Sequence, residues 1–226
     1  MKIGYKLSIA FFGIAVMASC TIGYIAYERS KTALEQETFN KLTVVREMKA
    51  EQIEDFHRLV IDQVQSYAHN PMVVEAAKTF RSGYHDLPAQ LSITDRERDL
   101  MQNQLRSYYT KEYIPRMKHF GVATQSVEAE LPDEKAATLL QQLYIVDNPN
   151  IVGEKHRFDN ALDGSDYSKA HARYHPAIRS FLERFGYYDI FLVDDSTGRI
   201  IYTVYKEVDF GASLENGPLK NSNIAR

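Results

Sequence analysis

The chain has no tryptophan and a single cysteine, Cys20, which sits inside an apolar run. One thiol excludes an internal disulfide and a cysteine-built zinc site. There is no excess of basic residues: 27 Lys and Arg stand against 30 Asp and Glu, a formal charge of -3. That balance leaves no electrostatic footprint for nucleic acid. Between Glu28 and Phe80 there is no glycine and one proline, Pro71, so little in that stretch interrupts a helix. Motifs of enzyme chemistry are also missing. No phosphate-binding loop, nucleophile elbow, HExxH or CxxC occurs, and the "GYKLS" near the start flanks an apolar segment. The reading therefore assigns no catalytic residue and no cofactor.

What is present points first to a membrane. Residues 7–27, "LSIAFFGIAVMASCTIGYIAY", carry no charge. As a helix they span roughly 31 Å, the thickness of a bilayer's hydrocarbon core. Lys2 and Lys6 precede the span, while Glu28, Arg29 and Lys31 follow it. The lysines favour a cytoplasmic N-terminus with the rest of the chain outside, in the periplasm if the anchor sits in an inner membrane. Two other readings remain open. A cleaved secretory signal has a shorter apolar core, of about 7–15 residues. A lipoprotein signal would use "MASC", yet "TIGYIAY" continues apolar beyond that cysteine.

Beyond the span, Leu42, Val45, Met48, Ile53, Phe56, Val60, Val64 and Tyr67 recur mostly at steps of three and four, one apolar face of a long helix. The face suits a core or a seam with a second copy, so a homodimer is expected. Asn70-Pro71 marks a break within this 28–80 stalk. Residues 81–94, with Gly83 and Pro88, read as a loop. Thr94 is a good N-cap for the next helix, whose apolar side is Leu100, Leu105, Tyr108, Tyr109 and Tyr113. Further helices are expected near 133–144 and over "DYSKAHARYHPAIRSFLERFG", closed by Gly186. Residues 81–182 thus form a helical region.

From 183 the pattern changes to β. "YYDIFLVDDSTGRIIYTVYKEV" reads as two strands around a turn at "DDSTGR". A lone hairpin is marginal in water, and the following residues, rich in turn formers, supply no clear third strand. The expected fold class is therefore α+β, mostly helical: residues 1–6 cytoplasmic, a transmembrane helix at 7–27 continuing into the stalk, then the helical region and the start of an antiparallel sheet over 183–226.

Several side chains invite chemistry. His171 and His175, four apart, share one helical face and have metal-ligand spacing, although no strong third ligand is evident; hydrogen-bonded packing on the sheet is the plainer reading. Arg179, Tyr187, Tyr188, Tyr202, Tyr205 and Lys206 would give a pocket cationic and hydroxyl groups suited to a small anionic or polar ligand. The alternative has these tyrosines as amphipathic sheet residues with their hydroxyls in water. Glu207 and Asp209, in a strand and the turn after it, are expected to face solvent.

Taken together, "REMKAEQIEDFHRLVIDQVQSYAHNPMVVEA", "LYIVDNPNIVGEKHRF", "SDYSKAHARYHPAIRSFLERFGYYDIFLVDDSTGRIIYTVYKEVDFGASL" and "GPLKNSNIA" resemble the Cache-type, PAS-like extracytoplasmic sensor region of bacterial transmembrane receptors. Such regions occur in methyl-accepting chemotaxis proteins, hybrid sensor histidine kinases and membrane nucleotide cyclases. The likeness covers most of 40–226 and is most specific over 165–226. It implies a stalk helix, PAS-like sheet units that bind a small molecule or a periplasmic binding protein carrying one, a second membrane span, and HAMP and output domains in the cytoplasm. The chain departs from that pattern by ending before a second span, so a fragment of something longer is expected. It also lacks the tryptophan-containing amino-acid-binding pattern of the best-known double Cache receptors. The resemblance implies a signal-input region of a chemotaxis receptor or histidine kinase. Its rivals are a truncated membrane nucleotide cyclase and a non-signalling, membrane-anchored envelope protein.

Overall fold

The computed structural model describes residues 3–121 and 126–225. The chain divides into two compact units, Met1–Tyr67 and Ala68–Arg226. It is mostly helical, 70%, with a small two-stranded antiparallel sheet.

The first unit is helix α1, Ile3–Ala68, unbroken over 66 residues. Its continuity follows from the absence of proline and from the scarcity of glycine, which occurs only at Gly4, Gly13 and Gly23. None of its described side chains is buried. The apolar residues of 7–27 and of the stalk face, such as Phe12, Leu42 and Phe56, are all exposed. One helix is thus long and apolar enough to cross a membrane.

The second unit opens with α2, Pro71–Leu91. Asn70 takes an extended backbone, as a residue before proline must, and its side chain accepts from the Met72 N–H at 2.9 Å. Pro71 then occupies the first turn, where no N–H is needed. The loop expected over 81–94 is instead helical as far as Leu91. Gly83 is there for proximity: a Cβ on it would stand 3.0 Å from the Tyr167 backbone N and Cα. Pro88 falls close enough to the helix end that only one backbone bond is lost.

Helix α3, Asp95–Tyr108, starts from the expected cap, with Thr94 and Glu97 closing a reciprocal capping box. It runs into a π-turn, Tyr109–Tyr113, and then α4, Ile114–His119. Pro115 has no N–H to return to the Lys111 carbonyl. The turn before it widens, and the Ile114 N–H reaches back five residues to Tyr109. Short α5, Val127–Glu130, precedes α6, Lys135–Gln141, which ends in a second π-turn at Gln142–Val146. The next helix is α7, Asp166–Phe185, capped by Ser165 and stopped by Gly186 in the left-handed region.

Strand β1, Phe191–Asp194, pairs antiparallel with β2, Arg199–Thr203, with an irregularity between Leu192 and Val193. The expected second strand ran on to Val208. It stops at Thr203 because the Asp189 carboxylate gathers the Thr203 hydroxyl and the Val204 N–H, at 2.6 and 2.8 Å. Lys206 then turns the chain at φ +60°. A third segment does pair with β2. Ile200 N–H bonds to Ala212 O, Gly211 N–H to Ile200 O, and Leu214 N–H to Gly198 O. Its turn-rich composition concealed it.

The core lies between α2, α6 and α7 with the sheet laid against them. Phe80, Tyr84, Leu139, Leu140, Tyr144, Tyr167, Ile178, Tyr202 and Phe210 are fully or almost fully buried within it. Phe80 is its centre, with ring contacts to Tyr167, Tyr174, His171 and Tyr202. Burying several such rings supplies the area and edge-to-face contacts that hold a small domain together.

Candidate functional site

A cleft of about 360 Å³ opens in the second unit. One wall is the end of α3, the π-turn and α4, through Tyr108, Glu112, Tyr113, Arg116 and Phe120. The other is the chain leaving β2, through Tyr205, Lys206, Glu207 and Val208, together with Tyr188 before β1. The Val152–Lys155 loop closes one side. The size and largely aromatic lining are those of a small-molecule site. A second cleft, of about 310 Å³, shares Tyr113 and Val208 with the first and contains Asp209.

Of the five candidate residues, the cleft brings together Tyr188 and Lys206, with Tyr205 beside them. Tyr188 is 76% exposed. Its ring stacks on Tyr205 at 6.1 Å, and its hydroxyl donates to Glu207 Oε2 at 3.0 Å. Burial and the Glu207 charge push the Tyr188 phenol up to about 12. Lys206, only 1% exposed, is turned inward by its left-handed backbone. Its Nζ donates to the Thr203 and Val204 carbonyls and lies over the rings of Tyr202, Phe210 and Tyr144. Burial brings its pKa down to about 7.

The other three candidates lie elsewhere. Tyr202 is a core residue, 0% exposed. Arg179 is turned onto its own chain, with Nη1 donating to Asp159 Oδ1 and His156 O at 2.7 Å each. Tyr187 packs with Phe181 and Phe185 where α7 ends.

Tyr202 instead completes a buried polar chain with the histidines. A carbonyl can only accept, so His175 Nε2–H donates to His156 O at 2.6 Å. Nδ1 then accepts from the Tyr202 hydroxyl, also at 2.6 Å. His171 stacks on His175 at 4.2 Å and donates Nδ1–H to Asp159 O. Burial, then the nearby Lys206 charge, holds His175 down at about 2 and His171 well below its usual range. Both rings are therefore neutral, and the pair ties α7 to β2 and to the 155–159 loop. Among the described residues, no group of three or more His, Cys, Asp or Glu side chains is arranged to hold a metal.

Glu207 is exposed, as expected, but Asp209 is not. Burial, with Asp189 and Glu207 nearby, raises the Asp209 carboxyl to about 7. Lys155, which the sequence reading passed over, is buried at the cleft edge. Its Nζ donates to Ile145 O at 2.6 Å and lies 5.8 Å from the Tyr108 ring centre. The π-turn wall was missed as well. Its signal is the cluster Tyr108, Tyr109 and Tyr113 just ahead of Pro115, which looks like an ordinary apolar helix side until the turn widens. No family model, curated protein or solved structure matches the chain.

Proposed function

We propose that the chain is the extracytoplasmic signal-input region of a bacterial transmembrane receptor, of the chemotaxis or histidine-kinase type. In this reading α1 is anchored in the inner membrane through 7–27, and the second unit lies in the periplasm. The observation that carries the reading is α1 itself: one uninterrupted helix holds both the apolar segment and the amphipathic stalk. A rigid helix of that kind can convey a displacement or rotation to the bilayer, which an output elsewhere in the receptor would read. A ligand with different affinity for two arrangements of the second unit shifts their populations. The aromatic cleft is where such a ligand binds, and the exposed stalk face, Leu42 to Val64, is covered by a second copy. No group in the cleft is arranged as a nucleophile with a base, so the reading is of a binding module.

The test is a thermal-shift screen of the whole chain in lipid nanodiscs against a broad metabolite panel. A ligand that binds the folded state raises the melting temperature with dose, by an amount set by its concentration over Kd. A panel that leaves the midpoint unmoved removes the direct-sensing reading.

A further inference from the structure

The charges in the cleft separate into those already answered and one that is not. Lys155 and Lys206 are buried, and their ammonium groups donate to backbone carbonyls. The rings nearest them, Tyr108 for Lys155 and Tyr144, Tyr202 and Phe210 for Lys206, already face a resident cation. Arg116 is paired with Glu112 at 3.3 Å. An entering anion would therefore have to draw a buried lysine away from its carbonyls or break an ion pair. Glu207 differs. It is exposed, it accepts only the Tyr188 hydroxyl, and no cation among the described residues lies within ion-pairing distance of it. Directly beside it Tyr188 and Tyr205 stack nearly parallel, 18° apart, at the cleft wall. Aromatic faces next to a carboxylate attract an alkylated ammonium ion, whose charge is spread over weakly hydrated methyl groups.

We propose that this end of the cleft takes an organic ammonium ion, its charge against the Glu207 carboxylate and its alkyl groups on the Tyr188 and Tyr205 rings. The proposal reverses the ligand sign that Arg179 and Lys206 suggest in the sequence, and it rests on the reading of the cleft as the ligand site. The partial neutrality of Lys206 near pH 7 favours it further.

The experiment is calorimetric titration of the full chain in nanodiscs with choline and tetramethylammonium. The neutral isostere 3,3-dimethylbutan-1-ol and a set of small carboxylates serve as comparisons. Choline is expected to bind at least about tenfold more tightly than the isostere. Glu207→Gln, at an exposed position that leaves the fold intact, should erase most of that preference. Tyr205→Leu should weaken choline about tenfold as well, while Tyr188→Phe, which keeps the ring, should bind choline about as the native chain does. Equal binding of choline and the isostere overturns the proposal, as does choline binding that Glu207→Gln leaves unchanged. If a carboxylate binds and both ammonium ions fail, the cation inference falls and the sensor reading stands. If these probes and the metabolite panel all fail, both fall together.

Discussion

Asp194 is fully buried at the end of β1, yet its carboxyl sits at about 2. Burial alone would push it up. Hydrogen bonds from His85, Ser196 and Thr197 outweigh that, and Arg81 Nε lies 3.1 Å away. Because its folded-state value is lowered, the contribution to stability is full above the unfolded range near 4 and fades as pH falls toward 2. Asp194→Asn is therefore expected to lower stability by about 1–3 kcal/mol at pH 7, read by denaturant unfolding; the loss should shrink at pH 3. Asp209 has the opposite sign. Its pKa is raised to about 7 by burial, then by Asp189 and Glu207. The fold favours its neutral form, so ionisation costs stability progressively from about pH 4 up to pH 7 and by a constant amount above that. Asp209→Asn should match the native chain at pH 4 and exceed it at pH 8 by about 2–4 kcal/mol. A stability difference that does not vary with pH would contradict this assignment.

At the level of elements, the crossing of α2 and α7 hinges on Gly83 meeting the Tyr167 backbone. Both neighbouring atoms, at 3.0 Å, are main chain and have no rotamer to escape into. Gly83→Val is expected to cost about 1–3 kcal/mol by forcing the helices apart. The measurement is the urea midpoint; an unchanged midpoint would mean the helices separate freely. The same residue shows where local pattern misleads. Read along the chain, Gly83 and Pro88 look like loop punctuation, because the partner that makes Gly83 necessary lies 84 positions away. Where the signal is local, the sequence speaks clearly: the Thr94–Glu97 box opens α3, Gly186 closes α7, and "DDSTGR" turns the hairpin. The π-turn wall, the Asp189 clasp that ends β2 and the pairing of 211–214 all depend on contacts made after collapse. The cleft was legible only in part for this reason. Tyr188, Tyr205 and Lys206 share a short segment, whereas Tyr108, Glu112 and Tyr113 reach them from a distant helix. Arg179 and Tyr202, chosen for their chemical type, are held by Asp159 and His175 in contacts that no spacing reveals.

For the whole molecule the decisive quantity is exposed apolar surface. No described residue of α1 is buried, and the uncharged stretch 7–27 presents Phe11, Phe12, Ile14, Met17, Ile22 and Tyr24 outward. A helix this apolar cannot remain in water alone; it is covered by lipid or removed by processing. The lipid alternative fixes an orientation, since Lys2 and Lys6 resist crossing the membrane. On the proposed topology, alkaline phosphatase joined after Arg226 is active in a bacterial host, and a cytoplasm-dependent fluorescent protein at the same position stays dark. Moving the fluorescent protein to the N-terminus should light it, and the intact mass of the membrane-extracted protein should still include residues 7–27. Reversed reporter signals would place the second unit in the cytoplasm. A mass lacking the apolar stretch would make it a cleaved signal, and the continuous helix could then carry nothing to the bilayer.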